Sequence, residues 1–286
     1  MAVNYIFQRF PEGKFKAVTF SYDDGARHDL KLVDTVEKYG MKLTLNLCDS
    51  LVADTTDSTR LSEGEIKDIL ARGHEVAVHG NRHIALGISH LHTGVRDVLD
   101  CRRGLEKRFG RIIRGFAYPD SMRGIEGEKY REIKGYLSSL GIAYARSIGK
   151  DHDTFDLPGD YHNWLANAHH DNEKLFDYID KFLSPDENTL YCASRTPKVM
   201  FIWGHSGDFN NKGNWSRLDE ICEKLSGKND TWYATCIEIY EYSQAFNSLV
   251  FNLDNTLVHN PTSVAVWFSA DGRLYKVMPG ETIEIA

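Results

Sequence analysis

The 286-residue sequence predicts an α/β fold, a parallel barrel of about seven strand–helix units followed by a small antiparallel β appendage. Short apolar runs alternate with helical patterns as far as residue 247, which is typical of a parallel sheet covered by helices. About seven units in about 240 residues suit a closed barrel better than an open sheet. Beyond residue 247, alternating short runs are broken by Asn-Pro, Asp-Gly and Pro-Gly turns. We therefore divide the chain into a barrel, 1–247, and a small β domain or extension, 248–286.

The predicted elements follow one another in a regular order. Apolar runs predict strands at 16–22, 41–47, 74–80, 113–119, 142–149, 198–205 and 231–235. Helical periodicity predicts helices at 30–40, 62–73, 91–109, 128–141, 171–183, 217–227 and 237–247. Gly40 and Gly73 are placed to end the first two helices. Ser62 and Glu65 have the spacing of a capping box at the start of the second.

The composition argues against several classes of protein. Hydrophobic residues make up 42% of the chain, enough for one large core, and the net charge of −7 disfavours a nucleic-acid partner. No apolar run reaches about 18 residues, so we expect no membrane span. The N-terminal stretch lacks a basic segment followed by an apolar one, which favours a cytoplasmic location, or an extracellular one if a leader was removed. Five scattered cysteines without a C-x-x-C pair indicate reduced, buried thiols.

Polar side chains cluster at the C-terminal ends of the predicted strands. They are Asp23 and Asp24 after the first strand, His79 and His83 after the third, Tyr118-Pro119-Asp120 after the fourth, Arg146 after the fifth, and His205 with Asp208 after a late strand. Because the C-terminal ends of the strands of a parallel barrel meet at one mouth, we expect these residues to lie near one another. The mouth is therefore the predicted site.

The stretch H-G-N-R-H places His79 and His83 four residues apart, and a helical turn there would put both rings on one face. Two imidazoles and one carboxylate make a three-ligand site with an open position for water, which suits a hydrolytic Zn²⁺ or a similar divalent metal. Alone, the spacing favours a buried strand-end histidine and a surface one. The neighbouring Asp23-Asp24 pair reverses that preference, because one carboxylate can bind the cation while the other takes a proton from the attacking water.

Four further histidines are predicted to lie outside this site. We expect His90 and His92 on a loop or helix start, although they could be spare ligands. The pair His169-His170 adjoins Asp-Asn-Glu-Lys, which indicates a solvated helix start.

Four motifs in order, S-Y-D-D-G, H-x-x-x-H, F-A-Y-P and W-G-H-S, resemble those of the polysaccharide deacetylases. These are metal-dependent carbohydrate esterases that share the chitooligosaccharide-deacetylase homology domain. The likeness covers residues 14–245. It implies a distorted (β/α)7-type barrel that removes N- or O-linked acetyl groups from a glycan or oligosaccharide by means of water on a divalent metal. Zn is the first choice for that metal, and Co, Ni and Mn also suit such ligands.

The resemblance also implies roles by position. Asp23, the first of the pair, would be the general base, and His205 would be the general acid that protonates the departing amine. A backbone N–H near Pro119-Asp120 would stabilise the oxyanion. The implied metal ligands are Asp24, His79 and His83.

Two family features are missing from the sequence. The third motif usually carries an arginine two residues before its proline, where Ala117 stands here. Arg146 at the end of the next strand could supply the guanidinium, with Arg114 as a second candidate and a surface salt bridge as the alternative for Arg146. The Asp-x-x-Asp-Trp motif that normally pairs with the acid histidine is not recognisable. The carboxylates that could replace it are Asp208, Asp153 and Asp156.

An acetylated carbohydrate is the expected partner, while the oligomeric state is left open. Aromatic side chains at the mouth can stack on sugar rings, although most are expected in the core, and Trp215 in the loop G-D-F-N-N-K-G-N-W is the preferred subsite residue. The candidate substrate-binding residues are Tyr118, Pro119, Asp120, Asp208 and Trp215. Two alternatives remain: metal-dependent hydrolysis of a small non-sugar amide or imide, and a catalytically silent glycan-binding protein.

Overall fold

Most strands of the molecule belong to one curled sheet. The structure is a computed structural model that describes residues 3–184 and 196–285. The strands are β1 (Ile6–Arg9), β2 (Lys16–Asp23), β3 (Thr44–Leu47), β4 (Glu75–Val78), β5 (Gly115–Ala117), β6 (Tyr144–Ser147), β7 (Trp164–Leu165), β8 (Ala168–His169), β9 (Lys198–Gly204), β10 (Thr231–Tyr233), β11 (Val250–Phe251), β12 (Leu257–His259), β13 (Val266–Ala270), β14 (Arg273–Val277) and β15 (Thr282–Glu284). The α-helices are α1 (Asp29–Lys38), α2 (Asp49–Ala53), α3 (Glu63–Ala71), α4 (Leu91–Phe109), α5 (Gly127–Ser139), α6 (Leu175–Leu183), α7 (Ser206–Lys212), α8 (Ser216–Leu225) and α9 (Cys236–Asn247).

The curled sheet is an incomplete parallel barrel. Its strands run in the order β7-β6-β5-β4-β3-β2-β9-β8, and β10 lies parallel to the first half of β2. The 8 strands of the path curl through 290°. Every residue of β2 is buried, because that strand has neighbours on both edges and packing on both faces. The predicted distorted barrel with a C-terminal β appendage is confirmed.

One extended segment pairs with strands on both sides of the gap in the barrel and so narrows that gap. Trp164–Leu165 pairs with β6, and Ala168–His169 pairs with β9. Between them, the backbone N–H of Asn167 donates to the carbonyl of Phe201 at 2.8 Å. The segment therefore crosses from one edge of the sheet to the other, so that β7 and β8 together occupy one position in the ring.

The predicted helix signals are present in the structure. Ser62 Oγ accepts from the backbone N–H of Glu65 at 3.3 Å, and the Glu65 carboxylate accepts from the Ser62 N–H at 2.8 Å. Gly40 and Gly73 follow their helices with φ of 71° and 92°, the left-handed conformation that favours glycine. A second capping box, formed by Thr235 and Glu238, begins α9.

The C-terminal segment forms two antiparallel sheets, β11-β12-β15 and β1-β13-β14. Strand β1 comes from the other end of the chain, a pairing that no local pattern revealed. Val258, Val266 and Phe268 form a separate apolar core with Ala245 of α9. The backbone N–H of Trp267 also donates to the Tyr242 hydroxyl at 2.8 Å, so the appendage is attached to the last barrel helix.

Two further sequence-based expectations concern membrane-spanning helices and the state of the cysteines. None of the helices in the described ranges combines the length and apolar character needed to cross a bilayer. Cys48, Cys101, Cys222 and Cys236 are buried free thiols, as predicted. Cys192 lies outside the described residues.

Candidate active site

The C-terminal ends of four barrel strands bring the predicted polar residues together. Strand β2 ends at Asp23, His79 follows β4, Arg146 lies in β6, and His205 follows β9. Asp24 has a left-handed φ of 79°. The backbone turns sharply there, so the Asp23 side chain is 3% exposed while that of Asp24 is 31% exposed.

Asp24, His79 and His83 form a compact cluster of possible metal ligands. One ligand atom from each lies within 4.8 Å of the other two. Nε2 of His79 is 3.9 Å from Oδ1 of Asp24, and Nε2 of His83 is 4.0 Å from the same oxygen. Such separations suit a cation about 2.0–2.2 Å from each ligand. His90 and His92 lie at the exposed start of α4 and are not members of the cluster.

The tautomer of His79 supports a metal at this position. Its Nδ1 lies 2.9 Å from the carbonyl oxygen of Ala117, and a carbonyl only accepts, so Nδ1 carries the proton. Nε2 is therefore a lone pair, and it is buried with no hydrogen-bond partner among the described residues. Burial lowers the pKa of His79 and favours the neutral ring. A buried lone pair directed at Asp24 and His83 fits a divalent cation.

The loop that carries His83 is held by a carboxylate that the sequence analysis missed. Asp97 of α4, whose side chain is 0% exposed, accepts from the backbone N–H groups of Asn81 and Arg82, both at 3.0 Å. Gly80 has φ of 75°, and a Cβ there would lie 2.5 Å from the Asp97 carboxylate. The helical turn expected after His79 is absent. Left-handed φ values at Gly80 and His83 bring the rings together instead, with centroids 4.8 Å apart.

Asp23 is an ionised carboxylate with a fixed orientation. Arg146 Nη2 donates to its Oδ2 at 2.8 Å, and Asn46 Nδ2 donates to its Oδ1 at 2.8 Å. Burial alone would raise the pKa of Asp23, but the positive charge of Arg146 and its hydrogen bond lower that pKa to about 2. The Arg146 side chain is 1% exposed, whereas Arg114 faces Glu241 at 3.4 Å on the surface. Of the two candidate arginines, the structure places Arg146 at the site.

His205 faces Asp23 and Asp24 from the end of the neighbouring strand, β9. Its Nε2 is 3.9 Å from Asp23 Oδ2 and 4.0 Å from Asp24 Oδ2, and its Nδ1 is 3.4 Å from Asp208 Oδ2. The side chain of His205 is 39% exposed, so a substrate can reach it. The other two candidates for the missing motif carboxylate are paired with lysines, Asp153 with Lys181 and Asp156 with Lys198.

The prediction of a solvated helix start at His169-His170 is wrong. His169 ends β8, and His170 is fully buried, with its ring stacked 3.9 Å from that of Phe209. Nε2 of His169 is 3.4 Å from Asp208 Oδ2. Burial lowers the pKa of both histidines. The polar residues after the pair suggested exposure, although an alternating strand pattern in W-L-A-N-A-H could have placed His169 at a strand end.

A third carboxyl group lies behind the aspartate pair. Asp29, the first residue of α1, is 0% exposed. Burial raises its pKa to about 8, and the charges of Asp24 and Asp23 add to the rise. Asp29 is therefore protonated at neutral pH, unlike Asp23.

The predicted substrate-binding residues lie in different surroundings. Tyr118 is 1% exposed and its hydroxyl donates to the His162 carbonyl at 2.9 Å, so its ring lies in the core and not at a sugar-facing surface. Trp215 packs beside Phe209, with Lys31 Nζ 4.4 Å from its ring centre. Asp120 is exposed and lies 3.8 Å from Arg123.

The turn formed by Pro119 and Asp120 stays close to the metal-ligand loop. A Cβ placed on Gly80 would be 3.4 Å from Pro119 Cγ, so Pro119 packs against the backbone beside His79. Asp120 has a left-handed φ of 55°.

Comparison with known proteins gives a family match and a fold match. Residues 11–144 match the family described as Polysaccharide deacetylase, and no curated protein matches the chain. A Mycobacterium smegmatis protein described as a polysaccharide deacetylase has a TM-score of 0.58 at 17% identity, covering 86% of this chain and 96% of its own. The Puue allantoinase has a TM-score of 0.59 at 12% identity, with coverages of 81% and 91%.

A third solved structure is the Xyl-CE4 domain of a multidomain xylanase from the hindgut metagenome of Trinervitermes trinervoides. Its TM-score is 0.51 at 17% identity, with 81% of this chain and 92% of that domain covered. At such low identities these three likenesses establish the fold alone. The family match over residues 11–144 confirms the resemblance drawn from the motifs.

Proposed function

We propose that this chain is a divalent-metal-dependent hydrolase that removes N- or O-linked acetyl groups from a glycan or oligosaccharide. The observation that carries the proposal is the arrangement of three groups at one barrel mouth. A ligand cluster with a buried lone pair lies beside an ionised carboxylate, and an accessible imidazole faces both. Metal-assisted hydrolysis of an amide or ester uses these three functions: a cation site, a base and an acid.

The donor set fits a divalent cation held by Asp24, His79 and His83. Zn is the first choice for two imidazoles and one carboxylate, and Co, Ni and Mn also suit them. When bound, the metal would polarise the acetyl carbonyl and lower the pKa of the attacking water.

Asp23 would take the proton from the attacking water. Its Oδ2 lies 3.8 Å from Nε2 of His79 and so borders the ligand cluster. Arg146 and Asn46 each hold one of its two oxygens, which fixes the direction from which the carboxylate accepts. Its low pKa keeps Asp23 in the basic form at neutral pH but also weakens it as a base, so the transfer depends on orientation and on the acidity of the water.

His205 would give a proton to the departing nitrogen or oxygen. Its Nε2 is 3.9 Å from Asp23 Oδ2, so acid and base border the same space and can both reach one reacting group. A backbone N–H at Pro119-Asp120 would steady the negative charge on the carbonyl oxygen. The products would be acetate and a free amine or hydroxyl group.

Acetate release tests the proposal directly. The full chain, stripped with a chelator and reloaded separately with each of the four metals, is incubated with chitooligosaccharides and with acetylated xylan. We expect acetate from at least one substrate, loss of release in the stripped protein and recovery on reloading. Absence of acetate at full metal occupancy with all four metals would overturn the proposal.

A second candidate, hydrolysis of a small amide or imide, is favoured by one observation. The TM-score with the allantoinase, 0.59, differs by only 0.01 from that with the Mycobacterium smegmatis protein, 0.58, so the fold does not separate the two chemistries. The same metal-loaded chain is therefore assayed on small cyclic amides. Ring opening without acetate release from any glycan would select this candidate.

A silent glycan-binding protein is distinguished by a different pair of results. Sugar binding by calorimetry without metal-dependent hydrolysis, together with unchanged binding in Asp23→Ala, would favour binding alone. Hydrolysis that disappears in Asp23→Ala would exclude it.

A further inference from the structure

A single carboxylate oxygen lies between two imidazoles behind the site. Oδ2 of Asp208 is 3.4 Å from Nδ1 of His205 and 3.4 Å from Nε2 of His169. Asp208 lies in the first turn of α7, His205 immediately precedes that helix, and His169 ends β8. Both separations are longer than an ordinary hydrogen bond, and they place one carboxylate oxygen within ion-pair distance of both rings.

The tautomer of His169 is set by the backbone. The Asp171 N–H donates to Nδ1 of His169 at 3.1 Å, so this nitrogen bears the lone pair. The proton of the neutral ring is then on Nε2, which faces Asp208. The edge of His169 also packs against the Trp203 ring, with centroids 4.7 Å apart, which limits rotation of the imidazole.

The same region could be interpreted as a second metal site, since four donors lie within 4.8 Å of one another: His169, His170, Asp171 and Asp208. Two contacts argue against a metal. A cation on Nε2 of His169 would require a proton on Nδ1, where the Asp171 N–H already points. Lys212 Nζ lies 2.8 Å from Asp171 Oδ2, so an ammonium group already neutralises that carboxylate.

We infer that His169 and Asp208 are positioning residues that fix the ring and tautomer of His205 for proton donation, an inference that rests on the proposed function. His205 Nδ1–H is directed to Asp208, so Nε2 points to the scissile bond. The water oxygen bonds to the carbonyl carbon after its proton has gone to Asp23. As the carbon–nitrogen or carbon–oxygen bond breaks, the doubly protonated His205 ring gives its Nε2 proton to the leaving atom and remains as the neutral Nδ1–H tautomer. Asp208 and His169 gain and lose no proton. The pair takes the place of the unrecognised Asp-x-x-Asp-Trp motif.

The test compares two leaving groups. An amine or sugar hydroxyl needs protonation as it departs, whereas 4-nitrophenolate does not, so only the first depends on a positioned acid. We expect Asp208→Ala to lower kcat on the acetylated sugar roughly 10²-fold and His169→Ala roughly 10-fold. On 4-nitrophenyl acetate both variants stay within about 2-fold of wild type, because 4-nitrophenolate leaves without a proton from His205.

A conservative variant and a matched control separate positioning from stability. His169→Gln, whose amide N–H reaches the place of Nε2, is expected to recover most of the lost kcat. His74→Ala is the control, because His74 also accepts a backbone N–H at Nδ1, from Leu43 at 3.1 Å, and faces a carboxylate with Nε2, that of Glu37 at 3.0 Å, away from the site. We expect His74→Ala to leave the ratio of the two activities unchanged.

Two readouts do not depend on turnover. In protein with ¹⁵N-labelled histidine, His205 is expected in the Nδ1–H tautomer, with a mixture of tautomers in Asp208→Ala. The number of ions bound per chain, measured by mass spectrometry, is expected to be equal in wild type and His169→Ala.

Several results would overturn the inference. They are equal losses on both substrates, no recovery in His169→Gln, an Nε2–H tautomer of His205 in wild type, or an ion lost from His169→Ala, which would identify a second metal site. A wild type that hydrolyses neither substrate at full metal occupancy removes the proposed function, and the inference with it. A wild type that hydrolyses both while the His169 variants match it removes the inference alone.

Discussion

The two ends of the barrel each bury a carboxyl group, and the two groups differ in ionisation. Asp23 at the mouth meets the guanidinium of Arg146, and its pKa falls to about 2. Glu75, the first residue of β4, lies at the other end. Its carboxyl oxygens accept from the Tyr144 hydroxyl at 2.7 Å, the Thr44 hydroxyl at 2.7 Å and the backbone N–H of Ile237 at 2.9 Å. Burial raises the pKa of Glu75 to about 7, against the effect of these neutral donors.

The difference shows that burial does not decide what a carboxyl group can do. Both side chains are almost inaccessible and both are hydrogen-bonded, but only one has a full positive charge beside it. That charge keeps Asp23 ionised and available for chemistry. Glu75 instead holds the first turn of α9 against the barrel through Ile237, a structural task that neutral donors can support.

The largest expected effect is loss of the metal at the mouth. His79→Ala removes the buried ligand nitrogen, so we expect metal occupancy near zero and acetate release at background. Mass spectrometry of the metal content and an acetate assay measure the two quantities. The control is His92→Ala, which changes an exposed histidine at the start of α4. Retention of the metal by His79→Ala would show that the ligand cluster is assigned wrongly.

The second largest expected effect distinguishes the general base from the metal ligands. Asp23→Asn is expected to lower kcat about 10²–10⁴-fold, the usual loss for a general base, while the metal stays bound. Glu75→Gln makes the same isosteric change at the other end and is expected to keep kcat. If Asp23→Asn lost its metal, the division of labour between Asp23 and Asp24 would be wrong.

The third effect is on stability and tests the origin of the Asp23 charge. Arg146→Met leaves a buried carboxylate unpaired, which we expect to lower the free energy of unfolding by about 3–5 kcal/mol. The double variant Arg146→Met, Asp23→Asn is expected to recover much of that loss. Urea unfolding of the metal-free chain measures both, and additive effects of the two changes would contradict the pairing.

The smallest effect is a pH dependence at the opposite end. The pKa of Glu75 is raised from 4.5 to about 7 on folding, so the folded state holds this proton more tightly. Its contribution to stability is complete below pH 4.5 and is lost as pH rises through 7, a change of about 3 kcal/mol. Glu75→Gln removes that contribution. Between pH 5 and 8 the free energy of unfolding, from urea titrations, should therefore fall less in Glu75→Gln than in wild type. The raised pKa of Asp29 has the same effect on the free energy of unfolding in both proteins, so it does not contribute to the difference between them. An equal fall in the free energy of unfolding in the two proteins would contradict the raised pKa of Glu75.

Local patterns carried most of the prediction of the barrel. Strand and helix periods are properties of consecutive residues, and a parallel barrel forces the C-terminal ends of its strands to one side. Those two facts were enough to place Asp23, Asp24, His79 and His205 together. The spacing of Ser62 and Glu65 was enough to predict the capping box.

Contacts between distant segments were not predictable in this way. Strand β1 pairs with β13, which lies near the other end of the sequence. Neither strand has a sequence pattern that identifies its partner. The choice between Arg146 and Arg114 depended on which one reaches Asp23 in three dimensions. The position of His83 depended on left-handed backbone and on Asp97. The contact of His169 with Asp208 depended on the pairing of β8 with β9.

The anchoring of the His83 loop by Asp97 has a consequence for metal exchange. Protein contacts hold that loop, so we expect the ligand atoms to be arranged before an ion binds. Little ordering entropy would then accompany metal binding, and ions of similar radius would exchange without refolding the chain. Under the proposed function, metal availability would therefore contribute, with geometry and ligand type, to the choice of the working metal.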